Sequence, residues 1–145
     1  MSVAAILKAK GAGVEITRPD TTLHGVVWDL KLKGIGALVV TDDGVTVRGL
    51  ISERDIVRGL AEHGTTLLAL PVSRLLTAAP VVTCAPGESI TAVMARMTRH
   101  RVRHLPVVEG GRLCGIVSIG DIVKHRLDEL ELEANILREN LMVSH

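Results

Sequence analysis

One short motif stands in the sequence twice, as Gly49-Leu50-Ile51-Ser52-Glu53-Arg54-Asp55-Ile56-Val57 and as Gly115-Ile116-Val117-Ser118-Ile119-Gly120-Asp121-Ile122-Val123. In each copy an apolar run reaches a serine, and an aspartate follows three residues later, the pattern of a strand that ends directly at a helix start. Two chemistries use those residue types at that spacing. In a capping box, Ser52 or Ser118 accepts from first-turn N–H groups, while Asp55 or Asp121 reaches back and opposes the positive helix end. In a ligand site, the open N–H groups of the helix start and the serine hydroxyl hold a phosphate. An aspartate one turn in then accepts hydrogen bonds from the 2′ and 3′ hydroxyls of a ribose, so serine with aspartate points to a ribonucleotide. Duplication copies a cap as faithfully as a binding site, and both readings stand.

Catalysis would need a nucleophile with its base, two carboxylates facing one cleft, or a metal site. Asp55 and Asp121 belong to separate copies and make a poor acid/base pair. Gly11-Ala12-Gly13 precedes Val14 instead of opening a helix, so neither a P-loop nor a dinucleotide fingerprint is present. His24, His63 and His125 lack ligand spacing. Cys84 and Cys114 lie 30 residues apart without a CxxC and read as small packing residues. Neither an enzyme nor a metal protein is expected.

The elements that must position these residues follow from an internal repeat. Setting Pro19 against Pro86 aligns Leu23, Val26, Val27 and Leu30 with Ile90, Val93, Met94 and Met97 at a constant offset of 67. Both quartets follow the i, i+3, i+4, i+7 spacing of a helix with one buried face. Two apolar runs come next, Ala37 to Val40 and Leu105 to Val108, rich enough in β-branched residues for buried strands. The turn signals Asp42-Asp43-Gly44 and Glu109-Gly110-Gly111 close a hairpin after each. Each half reads helix, strand, turn, strand, helix. A unit of about 60 residues is marginal alone, so the expected fold is one pseudo-symmetric α/β (α+β) domain whose halves pack through their sheets and share a core, bridged by residues 62 to 76. Beyond it, Val123, Leu127, Leu130, Ala134, Leu137 and Leu141 advance by 4, 3, 4, 3, 4, a seam of period 3.5 that needs a partner, either its own domain or a second copy of the chain.

Composition excludes other classes. The chain has 145 residues, 47% apolar and 23% charged, with net charge +1, enough for one compact domain and not the make-up of a disordered chain. No run of 18 apolar residues offers a membrane span, and no basic n-region precedes an apolar stretch, so a cytoplasmic protein is expected. With one Trp and no Phe or Tyr there is no stacking platform for bases, and positive charge is balanced by acid. Nucleic-acid binding is therefore not expected.

The doubled pattern, Pro-x-x-x-Φ before a helix, then Leu105-Pro106-Val107-Val108-Glu109 and Gly-Φ-Φ-Ser-x-x-Asp-Ile-Val, resembles a tandem cystathionine-β-synthase-type (CBS) domain pair, or Bateman module. The resemblance covers about residues 3 to 125 and implies a stand-alone pair of βαββα repeats, at 1–70 and 71–126, followed by an amphipathic helix over 127–145. It further implies pairing of two chains into a disc and binding of adenosine compounds in the clefts between repeats, with AMP foremost and ATP, NAD or S-adenosylmethionine as further ligands. Position by position, it gives Asp55 and Asp121 the ribose and gives Ser52 and Ser118 contacts near the phosphate. Thr17 and Thr83 match the segment that reads the adenine edge. Ile35-Gly36-Ala37 and Val102-Arg103-His104-Leu105-Pro106 match the strand start that walls the base and approaches the phosphate, where Arg54 also matches. Arg54 corresponds to Gly120, and Gly36-Ala37 to Arg103-His104, so the two sites are expected to differ. Arg96 and Arg99 read as cations at a solvated helix end. The expected role is a non-catalytic sensor that signals to a separate effector protein; the alternative is a dimerisation scaffold with empty clefts.

Overall fold

The computed structural model describes residues 1–11 and 13–143; the middle of Gly11-Ala12-Gly13 and the last two residues of the 127–145 helix lie outside them. The order of elements is α1 (Val3–Lys10), β1 (Ile16–Thr17), α2 (Leu23–Lys33), β2 (Ala37–Val40), β3 (Gly49–Ser52), α3 (Glu53–His63), α4 (Ile90–His100), β4 (His104–Glu109), β5 (Arg112–Ser118) and α5 (Ile119–Val143). Two 3₁₀ segments, Gly64–Ala69 and Val72–Leu75, connect α3 to the second half.

Each half builds its own small sheet. In the first, β2 pairs parallel with β1 and antiparallel with β3, in register Ala37 to Ser52. In the second, β4 pairs antiparallel with β5, and the counterpart of β1 is reduced to a bridge between Cys84 and Val107. Gly110 and Gly111, at φ 57° and 77°, form the two-residue turn of the second hairpin, the left-handed pair that matches strand twist. The first hairpin closes differently. Asp43 Oδ1 accepts from the N–H groups of Val45 and Thr46 at 2.9 and 2.7 Å, so a side chain organises a longer connection.

The helix caps repeat as well. Thr22 caps α2 through Gly25 N–H, and Ser89 caps α4 through Ala92 N–H. Leu23, Val26 and Leu30 are buried on α2, and Val93 and Met97 on α4. Val27 and Met94, expected on the buried face, are instead 36% and 48% exposed. A sheet of two or three strands covers a narrower stripe than the four-residue spacing supplies, and the i+4 flank is left outside.

The expected single core is in fact two. One cluster joins Val93, Met97, Leu105, Val107, Val117 and Ile122, with Cys84 among them; the other joins Leu23, Val26, Leu30, Leu38, Val40, Ile51 and Ile56. Each is completed by the segment that precedes the other half. Val3 and Ile6 of α1 enter the cluster of the second half, with Val93 and Met97, tied by Val3 N–H to Glu88 O and Ala4 N–H to Pro86 O. Leu67 and Val72 of the 3₁₀ connection enter the first, tied by Leu23 N–H to Leu70 O and Val72 N–H to Thr21 O. Neither unit covers its own sheet, so each borrows a lid from the chain ahead of its neighbour, and the halves are interlocked. The halves also meet directly, where Leu113 N–H of β5 donates to Val45 O in the β2–β3 connection at 2.8 Å.

Candidate functional site

Between the halves lies a cleft of about 470 Å³ that draws on both repeats. From the first come Gly36, Ser52, Arg54 and Asp55; from the second come Val102, Arg103, His104, Leu105 and Pro106. The two half-sites read separately in the sequence thus contribute to one hollow. Thr17, Ile35, Ala37, Thr83, Ser118 and Asp121 stand outside its lining. Thr17 is buried in β1, its carbonyl accepting from Thr41 N–H at 3.0 Å. Thr83 offers its carbonyl to Arg96 at 2.9 Å. Arg48, Arg58 and Arg101 line the cleft, as do Leu75, Leu76 and the run Ala79–Val82. No motif marks Leu75, Leu76 or the 79–82 run, because only the course of the connection past β3, where Leu76 packs at Gly49, brings them there.

The start of α3 forms the cleft floor. Ser52 N–H and Oγ donate to Asp55 Oδ2 at 2.8 and 2.9 Å, and Asp55 N–H donates to Ser52 Oγ at 3.4 Å. This is the capping box of the sequence reading, realised in full. Among the described residues nothing bonds Asp55 Oδ1, so the cap uses one carboxylate oxygen and leaves the other to the cleft. His104 enters from β4. A Cβ on Gly36 would stand 3.3 Å from its Cε1 and Nε2, so the missing side chain gives the ring its place. Burial holds the His104 imidazole below its ordinary pKa, against the opposing pull of Asp121 and Glu53.

At the start of α5 the same box is drawn with a different partner. Ser118 N–H donates to Asp121 Oδ2 at 2.9 Å, and Asp121 N–H donates to Ser118 Oγ at 3.0 Å. Here Lys10, at the end of α1, also reaches Asp121 Oδ2 at 2.8 Å and Ile116 O at 3.0 Å. Burial raises the Asp121 pKa, but the Lys10 ammonium and the Ser118 amide outweigh it and the carboxyl lies below its ordinary value. Arg96 is no solvated cation. It pairs with Glu88, with Nη1 at 2.8 Å from Oε2, and holds the Thr83 segment against α4. No group of His, Cys, Asp or Glu among the described residues could hold a metal ion.

Comparison with known proteins now gives the class. The CBS domain family model matches residues 14–62 and 72–128, and the chain belongs to that family. CBS domain proteins are regulatory modules, often ligand-binding and associated with signalling. A CBS-domain containing protein from Agrobacterium tumefaciens is 41% identical, with a TM-score of 0.82 over 86% of this chain and 92% of that one. A protein with CBS domains from Burkholderia ambifaria, assigned to signal transduction, is 37% identical at the same TM-score over 88% and 95%. The mitochondrial CBS domain-containing protein CBSX3 of Arabidopsis thaliana is 29% identical over 93% of this chain and 71% of its own length. Inosine-5'-monophosphate dehydrogenase of Mycobacterium leprae is 32% identical over 119 residues, but the chain spans only 21% of that enzyme.

Proposed function

We propose that the chain is a non-catalytic sensor that binds an adenosine nucleotide (AMP, ATP or NAD) in the cleft between its repeats and signals to a separate effector protein from the cytoplasm. The observation that carries this reading is the meeting, in one hollow, of the Ser52–Asp55 helix start from the first repeat with Arg103 and His104 from the second. The Asp55 oxygen left open by the cap accepts the ribose diol. The α3 N–H groups, Ser52, Arg54 and Arg103 take the phosphate. A ligand held by both repeats stabilises one relative packing of the two, and by linkage the signal cannot exceed its differential affinity for the two arrangements. No reaction on the nucleotide is proposed, since Asp55 and Asp121 lie at separate helix starts.

Thermal unfolding with AMP, ATP and NAD tests the reading. A ligand at 100 times its Kd adds about 2.7 kcal/mol, a rise of several degrees in Tm. No shift with any adenine nucleotide, at concentrations up to several millimolar, would leave the second reading, a homodimerisation scaffold. That reading has its own observation: Trp28, Met94, Val123 and Leu127 are large, apolar and exposed.

A further inference from the structure

Helices α2 and α4 end in the same way, 67 residues apart. Gly34 (φ 62°, ψ 39°) and Arg101 (φ 55°, ψ 42°) both take the left-handed conformation, and each cap N–H bonds back to the last helical turn, to Leu30 and Lys31 or to Met97 and Thr98. Glycine is the residue suited to that conformation. Space is not what selects it at position 34, since a Cβ there would meet nothing within 4 Å. Arg101 is the one non-glycine residue at positive φ among the described residues, so the second repeat keeps a side chain where the first avoids the strain. Such strain persists at positions whose side chain has work to do.

The surroundings of Arg101 say what that work is. It lines the cleft with Arg48, Arg54, Arg58 and Arg103, against only two acids, Glu53 and Asp55. Arg48 is paired with Asp42; the other four guanidinium groups make no ion pair among the described residues. Four unpaired cations around one hollow repel one another until an anion enters. With Glu53 and Asp55 counted, the excess is about two charges, which a monophosphate matches in number. But the cations stand on both walls, Arg54 and Arg58 on α3 and Arg101 and Arg103 between α4 and β4, and a di- or triphosphate that starts at the α3 N-terminus extends toward the second pair as well.

We infer that Arg101 is a specificity residue that takes the outer phosphates of a nucleoside polyphosphate, which the cleft prefers to AMP. The inference rests on the proposed nucleotide reading and narrows its ligand. Calorimetry with ATP, AMP and adenosine on the wild-type chain, Arg101→Gly and Arg101→Gln tests it. The wild type binds ATP more tightly than AMP. Arg101→Gly loses about tenfold or more in ATP affinity, holds AMP within about twofold, and melts about 3 °C higher because the strain is gone. Arg101→Gln loses the same ATP affinity without the rise in Tm, since it keeps the strain and drops only the charge. Equal wild-type affinities for ATP and AMP, or unchanged ATP binding in both variants, would overturn the assignment while leaving the nucleotide site in place. A wild type that binds none of the three compounds would overturn both.

Discussion

Asp55 and Asp121 hold equivalent places and face different company. Asp55 keeps an oxygen open to the cleft, while Asp121 is already met by the Lys10 ammonium at 2.8 Å. A ribose diol would have to displace that cation, giving up an ion pair between two full charges for hydrogen bonds in which only the carboxylate is charged. The two aspartates should therefore separate under mutation. Asp55→Ala is expected to weaken adenine-nucleotide binding by about 10- to 150-fold, and Asp121→Ala to leave it nearly unchanged. Lys10→Met should then raise the binding stoichiometry above that of the wild type, by freeing Asp121. Calorimetric titration reads all three; an Asp121→Ala loss as large as that of Asp55→Ala would show that Lys10 does not occupy the second site. The doubled serine and aspartate were legible from their spacing. The lysine was not, because it arrives from α1, 111 residues away in sequence.

At the scale of elements, the best-determined connection is the turn into α4. Glu88 accepts from Ala85 N–H at 2.7 Å and from Arg96, and Arg96 in turn grips the Thr83 carbonyl. The Arg96 guanidinium and the Ala85 amide bring the Glu88 carboxyl down from 4.5 to about 2. A carboxylate whose pKa falls on folding stabilises the native state fully above its unfolded value, and that contribution is lost as pH falls through the folded one. Stability should thus decline between pH 4.5 and about 2 partly through this residue. Glu88→Gln should cost about 1 kcal/mol near neutrality and make the acid limb shallower. Urea unfolding at pH 3 and pH 6 compares the two chains; equal pH dependence in both would exclude the role. Much at this scale was readable, since helix spacing, β-branched runs and turn residues are local signals. What escaped depends on how elements cross. Val27 and Met94 fit the helical spacing, but the sheets are too small to cover them, and the borrowed lids that split the core carry no mark in the order of residues.

At the scale of the whole molecule, the unfinished part is α5. Its 25 residues extend about 37 Å, yet only Ile122 is fully buried. Leu127, Leu130, Leu137 and Leu141 are 43 to 63% exposed, so the seam does not lie against its own domain. A helix end that packs on nothing gains little beyond propensity, and a row of leucines at period 3.5 is the surface that another such helix fits. Near the root of α5 a hollow of about 580 Å³ between Met1, Ile90, Met94, Val123 and Leu127 continues the apolar surface toward the exposed flank of α4. The sequence made the seam legible but could not name its partner, because a single chain does not state its own copy number. A second copy would meet both surfaces at once, and the chain is then expected to sediment at twice its 15.5 kDa. Replacing Leu130 and Leu137 together by lysine leaves the buried clusters untouched and places like charges across the seam. If the helices pair, the variant sediments at the monomer mass with its Tm lowered at micromolar concentration, because association no longer adds to stability. If it stays dimeric, the pairing surface is the exposed flank of α2 and α4, where Trp28→Asp or Met94→Asp would then separate the chains.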